Sequence, residues 1–414
     1  MTNTIKPQMK NILVINSGSS SLKFQLILMP EEKVLASGLA ERIGQEGSKL
    51  HYISKDFSIT EEMEIPDHSV ALKAITNILM DANKGVIKNA SEIPAIGHRV
   101  VHGGPTFSET IIIDQNVKGK IEELFSLAPL HNPANLTGII VAEEIFPEAM
   151  QVAVFDTAFH RSIPAKAHKY AIPNSFLNDN KIQVYGFHGT SHKYVSEQAI
   201  RIIKKPLSKI ITIHLGNGCS MTAVKDGKSI DHSLGFAPGN GLIMGTRSGD
   251  IDQSVIFYMI EHLGYSPKEV SDILNNKSGM LGLTGFSDLR DIESEAEKGN
   301  KDCKLALEMN TYRIKKYIGA YTAAMNGLDA LVFTAGIGEN SSLIRKMACE
   351  EMQFLGIELD QLKNDVRSKE NRIISTEKSK VTVLVIPTNE ELEIANQTYA
   401  LMIKDSDFKI PSLH

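Results

Sequence analysis

Apolar residues enter the chain as a continuous run, "ILVI" at 12–15, and return after a gap of small polar residues as "LKFQLIL" at 22–28. A short apolar run of this kind predicts a strand. In the second run Leu22, Phe24, Leu26 and Leu28 alternate with Lys23, Gln25 and Ile27, which predicts a strand with one buried face. The pair reads as strand 12–15, loop 16–21 and strand 22–28. Two hundred residues on, "KIITIHLGNGCSMTAVKDGKSIDHS" repeats the plan. An apolar strand meets a break holding Gly216 and Gly218, and the next strand ends in a hairpin turn at Asp226-Gly227. Gly18 and Gly218 align at that offset, which suggests a duplicated domain.

Other segments alternate between strand and helix patterns. "IPAIGHRVVHGG" and "MQVAVFDTAFH" are strands running into polar turns, the second with Asp156 at its end. "ALVFTAGIGENSSLIRKMA" reads as strand, glycine loop and a helix capped by Asn340 or Ser341. "KVTVLVIPTNEELEIANQTYALM" reads as strand, proline stop and a helix capped near Thr388 or Asn389. The fold class is therefore α/β. A chain of 414 residues predicts two domains, and the polar stretch after Asp156 is the expected divide.

Composition narrows the class. Hydrophobic residues at 42% and charged residues at 22% fit a folded globular chain. A net charge of -5 supplies no basic field, which argues against a nucleic-acid partner. Cys219, Cys303 and Cys349 are too scattered for a metal pair or a disulfide framework, as expected in a reducing cytoplasm. "MTNTIKPQMK" lacks a signal-peptide core, and no segment reaches the ~18 apolar residues of a membrane span. These features predict a cytoplasmic enzyme or binding protein with no membrane partner.

The loops carry the chemistry. Around Ser19 and Ser21, backbone N–H groups and hydroxyls can surround an anion, with Lys23 adding charge. The same residues also make a tight turn whose serines bond their own backbone. "HLGNGCS" has the same two readings, and "GIGEN" before a helix adds a dipole-assisted anion site. None is a P-loop: Gly227-Lys228-Ser229 would need glycine where Thr222 stands, and "GIGEN" lacks the full dinucleotide fingerprint. Arg99, His131, His188 and Arg247 lie in or beside glycine-containing or polar loops. Arginine's fork suits carboxylate and phosphoryl oxygens, and histidine can donate to charge on a transferring group. Alone, "SDLRDIE" is a capped helix start, and Glu390 sits in a first helical turn where the dipole favours any carboxylate. Asn16, Asp156 and Glu390 are oxygen donors suited to magnesium, which keeps several waters.

Taken together, "NILVINSGSSSLKFQL", "GFHGTSHKYV", "HLGNGCS", "GLIMGTRSGD", "GIGEN" and "PTNEEL" resemble the acetokinase family, in family order across residues 11–395. The resemblance implies duplicated ribonuclease H-like/actin-like ATPase domains with an active-site cleft between them. It implies a first domain of residues 1–156 plus 390–414, a second of 157–389 carrying most nucleotide loops, and a homodimer. The implied reaction is reversible transfer of phosphoryl from ATP to acetate, giving ADP and acetyl phosphate. Magnesium is the implied ion, with manganese as a substitute. Position by position, Asn16 and Glu390 match the metal site, Lys23 an ATP-contacting lysine, Arg99 the substrate arginine and Asp156 the catalytic aspartate. His188 and Arg247 match the groups that stabilise the transition state, and His131 a further active-site histidine. Three stretches match nucleotide contacts: His214, Leu215, Gly216, Asn217 and Gly218; Asp288, Leu289 and Arg290; and Gly336, Ile337, Gly338, Glu339 and Asn340. Val101, Leu130, Phe187 and Pro238 match the pocket for the acyl methyl group. One departure stands out: the family pattern has two serines before the aspartate, whereas "LTGFSDLRDIE" has one, which leaves the alignment of Ser287 open.

Acetate, with a pKa near ~4.3 if it resembles glutamate, is already ionised at neutral pH and needs no base. Asp156 is therefore expected to orient the metal, its water or an arginine. Arg247→Ala and Arg99→Ala are each expected to lose at least about 10²–10³ in turnover while folding normally. The rival readings are a propionate or butyrate kinase, an actin-like ATPase without acetate dependence, and a pseudo-kinase. The last is disfavoured because every catalytic position is occupied.

Overall fold

The computed structural model describes residues 8–408; the first seven residues, within the segment read as lacking a signal-peptide core, and the last six lie outside them. The chain divides into two compact units, residues 1–158 with 389–414 and residues 159–388.

The first unit is built on an eight-stranded sheet. Its strands are β1 (Lys10–Ser17), β2 (Ser21–Met29), β3 (Lys33–Glu41), β4 (Lys49–Ser54), β5 (Ser58–Glu62), β6 (Ala95–Val100), β7 (Ile111–Ile112) and β8 (Met150–Phe155), in the order β5-β4-β3-β2-β1-β6-β8-β7. β1 runs antiparallel to β2 and parallel to β6, which is parallel to β8. Ile12, Leu13, Val14 and Ile15 are fully or almost fully buried, as an unbroken apolar run requires of an interior strand. The serine loop is shorter than its sequence suggests. Pairs Asn16↔Lys23 and Ser17↔Leu22 extend the ladder, so only residues 18–20 connect the strands. The period-two reading of β2 holds only to Leu26. A register shift at Leu26/Ile27 turns Ile27 inward, while Leu28 becomes half-buried.

Leu13, Phe24, Leu26 and Ile96 form a core with Leu72, Ile75 and Leu79 of the helix His68–Leu79 and with Ala142 of the helix Asn132–Ile145. Each fully buried side chain of this kind contributes about 1.5–3 kcal/mol. Gly97, next to Ile96, faces the other side, where the helix Glu390–Phe408 lies. A Cβ at Gly97 would come within 2.4 Å of Thr398 Oγ1, so glycine is what allows this helix to seat on β6. Its first turn is thereby fixed near the carboxyl ends of β1, β6 and β8, where the loops of open α/β sheets collect ligands.

The second unit repeats the frame. β9 (Lys209–Leu215), β10 (Cys219–Lys225), β11 (Lys228–His232), β12 (Ala330–Thr334), β13 (Arg372–Ile373) and β14 (Thr382–Val385) make a sheet in the order β11-β10-β9-β12-β14-β13. β9 and β10, and β10 and β11, are antiparallel, whereas β9, β12 and β14 are parallel. β3-β2-β1-β6-β8 and β11-β10-β9-β12-β14 thus share order and direction, so the repeat read from Gly18 and Gly218 is topological. Asp226 (φ 52°) and Gly227 (φ 76°) form the left-handed two-residue turn that Asp-Gly favours. Val195 and Ala199 of the helix Gly189–Ile203 pack on Ile210, Val332 and Leu384.

"GIGEN" is not the expected loop. Ala335, at φ 65°, makes the turn itself, and the short helix Ala335–Asn340 follows β12 directly. Ser341 caps the next helix, Ser342–Cys349, while Asn340 bonds back to the Gly336 carbonyl at 2.8 Å. Asn389 caps the helix Glu390–Phe408 through Leu392 N–H at 3.0 Å. Among the described residues no helix is long and apolar enough to cross a membrane.

Candidate active site

In the first unit, strand ends and the first turn of the helix Glu390–Phe408 gather oxygens around Arg99. Arg99 on β6 donates from Nε to both Asp156 oxygens (3.2 and 3.1 Å) and from a terminal nitrogen to Oδ2 (2.5 Å). It also reaches Asn16 Oδ1 at 3.4 Å and lies 3.8 Å from Glu390. Burial opposes the charge of Arg99, but Asp156 and Glu390 outweigh it and hold its pKa above the ordinary value. Glu390's carboxyl is pushed up, first by burial, then by Asp156 and Glu391, against the pull of Arg99 and Lys23. Lys23, directly across the ladder from Asn16, pairs with Glu391 at 2.5 Å.

Three carboxylates (Asp156, Glu390 and Glu391) therefore face two cations (Arg99 and Lys23), a local excess of negative charge. Among the described residues no group of three or more His, Cys, Asp or Glu is arranged for a metal. The set here is two carboxylates and an amide oxygen, all hard donors, which fits an ion that keeps most of its waters.

The serine turn is closed by its backbone: Gly18 N–H donates to Ser21 C=O at 2.8 Å and Ile43 N–H to Ser20 C=O at 2.9 Å. Among the described residues, the Ser19 and Ser21 hydroxyls make no intramolecular hydrogen bond. The reading in which they serve only their own backbone is thereby weakened. Val101 is buried. Leu130, expected in an apolar pocket, is 76% exposed in the turn before the helix Asn132–Ile145, and His131, at that helix's N-cap, is also exposed.

In the second unit, the residues after β9 meet the side chains of His188 and Arg247. A Cβ at Gly218 would stand 3.5 Å from His188 Cε1, 3.6 Å from His188 Nε2 and 3.6 Å from an Arg247 terminal nitrogen. His188, at φ 55°, ends the turn that starts the helix Gly189–Ile203, and its ring stacks on His214 with centroids 4.4 Å apart. Non-glycine residues enter this left-handed region at a cost, and such outliers gather at functional sites. Phe187 is buried, and its N–H donates to His232 Nε2 at 3.1 Å. Arg247 is half-buried and donates to the Pro238 carbonyl at 2.9 Å and weakly to Met244 Sδ at 3.7 Å. Burial lowers its pKa, and among the described residues it has no ion-pair partner.

Beside this pair lies a cavity of about 710 Å³. Leu215, Gly216, Asn217, Asp288, Leu289, Arg290, Gly336, Ile337 and Asn340 line it, so segments more than a hundred residues apart converge. His214, Gly218, Gly338 and Glu339 are not in its wall. Gly338 and Glu339 give their carbonyls to the buried Arg345 at 3.0 Å, and Glu339's carboxylate accepts from Thr388 N–H. Ser287 does line the cavity. Asp288 caps the helix Leu289–Glu297 and pairs with Arg290, whose hydrogen bond holds Asp288 down to about 2.

Sequence reading passed over several residues that build these sites. Asn132 and Asn135 are buried and tie the backbone of residues 101–102 and the Ser17 carbonyl to the helix that carries them. Two asparagines three apart inside a helix are the signal, because asparagine is a poor helix interior residue. Glu391, one residue after Glu390, is the partner of Lys23. His192 follows His188 by four residues, one helical turn on, within the quoted "GFHGTSH".

A twice-repeated frame of this order, with its loops at the carboxyl ends of parallel strands, is the actin-like ATPase type of fold. Within that type the acetokinase family profile matches residues 11–396, and the chain belongs to that family. It is 64% identical over 391 residues to the acetate kinase of Flavobacterium johnsoniae, spanning 94% of this chain and 99% of that protein. The crystal structure of Porphyromonas gingivalis acetate kinase is similar with a TM-score of 0.91 at 45% identity, covering 95% of this chain and 100% of the other. A propionate kinase from Francisella tularensis is similar with a TM-score of 0.89 at 44% identity, over 95% and 100% of the two chains.

Proposed function

We propose that this protein catalyses the reversible transfer of the γ-phosphoryl group of ATP to acetate, giving acetyl phosphate and ADP. A carboxylate oxygen of acetate attacks phosphorus as the bond to the β,γ-bridging oxygen breaks; no proton need be gained or lost. The task is to bring two anions together and hold the charge that spreads over the phosphoryl oxygens. The observation that carries the reading is Arg247, a half-buried cation beside His188 and Gly218 that has no carboxylate partner among the described residues. A phosphoryl group between Arg247 and His188 would supply that partner. The adjoining cavity falls within the 300–1,000 Å³ typical of ligand sites and suits an adenine nucleotide.

Asp156 has the role of an orienting group. It is buried and spends both oxygens on Arg99, which fixes the guanidinium, and acetate has no proton to remove. Asn16 and Glu390 would hold a magnesium ion, or manganese in its place. When bound, such an ion neutralises phosphate charge and holds the nucleotide in register. Ser19, Ser21 and Lys23 are read as triphosphate contacts, His131 as a further site residue, and Val101, Leu130, Phe187 and Pro238 as the acyl pocket. Exposed Val255, Phe257, Tyr258 and Leu263 form an apolar surface suited to a second copy in a homodimer. Three buried free thiols fit a reducing, cytoplasmic setting.

The test is ADP formation with acetate present or withheld, and with magnesium present or chelated, while acetyl phosphate is trapped as the hydroxamate. Both additions should be required. ADP formation at an unchanged rate without acetate would end the kinase reading. Comparing kcat/KM for acetate, propionate and butyrate separates the acids, since one methylene is worth only about 1–3 kcal/mol.

A further inference from the structure

His188 stands at one end of a chain of buried polar groups. Ser220 Oγ lies 2.8 Å from His188 Nδ1 and 2.7 Å from His192 Nε2, and His192 Nδ1 lies 2.7 Å from Thr212 Oγ1. Ser220, His192 and Thr212 are wholly buried. A serine hydroxyl has one proton, so between two ring nitrogens it donates to one and accepts from the other. His192 is held well below the ordinary histidine range, first by burial and then by His160, His214 and His188. It is therefore neutral and carries one N–H.

Two arrangements satisfy Ser220. In the first, Thr212 donates to His192 Nδ1, His192 Nε2–H donates to Ser220, and Ser220 donates to His188 Nδ1. The neutral His188 ring then carries its proton on Nε2. In the second, His192 donates from Nδ1 to Thr212, Ser220 turns its proton to His192, and His188 must carry a proton on Nδ1. The second arrangement leaves the Thr212 hydroxyl proton without an acceptor, because His192 is its one hydrogen-bond partner among the described residues. A buried donor left unmet is costly, and the first arrangement has none.

We propose that Ser220 and His192 are positioning residues that hold His188 as its Nε2–H tautomer and so present a hydrogen-bond donor to the transferring phosphoryl group. The target of that donor rests on the phosphoryl-transfer reading; the tautomer does not. Nε2 is the ring nitrogen near the space at Gly218 that Arg247 also borders. Phosphoryl oxygens accept hydrogen bonds, so the other neutral tautomer would set a lone pair against the anion.

Long-range ¹H–¹⁵N spectra of the histidine-labelled full chain report the tautomer directly, with His188 assigned by its loss in His188→Gln. His188 should be Nε2–H in spectra recorded at pH ~8, above the ordinary histidine range. Ser220→Ala should shift it toward the Nδ1–H form and lower kcat about ten- to a hundredfold, with KM for ATP within about twofold. Ser220→Thr keeps the hydroxyl and should restore both tautomer and kcat. His192→Gln, whose amide N–H can replace Nε2–H, should keep the Nε2–H form; an Nδ1–H ring there counts against the proposal. An Nδ1–H His188 in the unaltered protein, or a Ser220→Ala protein of unchanged urea midpoint with unchanged kcat, would overturn it. If the unaltered protein makes no acetyl phosphate although His188 is Nε2–H, the kinase reading fails and the tautomer stands.

Discussion

In the first unit Arg99 is gripped by Asp156, and Lys23 by Glu391, so each cation comes with an anion attached. In the second unit Arg247 ends on a carbonyl and a thioether. Nearby in sequence, half-buried Asp231 accepts only from the His232 N–H among the described residues. The two units share strand order and direction, so topology decides where these loops go and not how their charges are balanced. A pair formed within the fold holds its geometry whether or not substrate is bound. A buried charge without a counter-ion is a standing cost that a ligand of opposite sign can remove.

Substituting the two arginines gives the sharpest contrast. Arg99→Ala removes the bidentate partner of a carboxylate that is 1% exposed, so stability should fall by about 3–5 kcal/mol along with activity. The sequence-based expectation that this variant folds normally does not survive that geometry. Arg247→Ala removes a cation that pairs with no carboxylate among the described residues, so the urea midpoint should hold while turnover falls about 10²–10³-fold. Equal midpoints for both variants would erase the distinction between the units.

How far the sequence could reach follows from the same contrast. The doubled hairpin was legible because strand pattern and turn chemistry are local: β1 and β9 are each built on a short apolar run, and Asp226-Gly227 admits few other turns. The bulge at Leu26/Ile27 was not, because a one-residue shift leaves an apolar run apolar. The glycines of "GIGEN" predict a loop between strand and helix. The turn falls instead on Ala335, whose left-handed backbone no propensity would assign to alanine. Of the site, arginine and histidine positions could be listed, but their partners could not. Asp156 lies 57 residues from Arg99, and Ser220 lies 32 from His188.

The paired glycines extend the comparison at a smaller scale. A Cβ at Gly218 would enter the space between His188 and Arg247 at ordinary contact distances. Gly218→Ala should therefore keep its stability yet lose about ten- to a hundredfold in kcat/KM by filling the space read for phosphoryl, which is the size of effect one misplaced methyl group has. At Gly18 the nearest atom would be Ser21 Oγ at 2.9 Å, the end of a side chain that can rotate away. Gly18→Ala should cost less, within about threefold in kcat/KM. The reverse order would mean that the serine turn, rather than the second unit's loop, approaches the reacting group more closely.

Asp231 gives the smallest and most specific test of uncompensated charge. Burial raises its carboxyl to about 6, against the bond from His232 N–H that lowers it. Its folded pKa thus lies above the unfolded one, so the native state binds the extra proton between the two values. Wild-type stability should then fall as pH rises from about 4 to about 6 and stay low above that. An asparagine side chain at this position would keep an oxygen for His232 N–H without the charge. Asp231→Asn should therefore raise stability by about 1 kcal/mol near pH ~8, well under the full linkage value because the side chain is partly exposed, and the gain should vanish near pH ~4. Urea midpoints of the two proteins at both pH values measure this directly. A gain that persists in acid would trace to packing rather than to charge, and a loss at pH ~8 would mean that Asp231 has found a counter-ion after all.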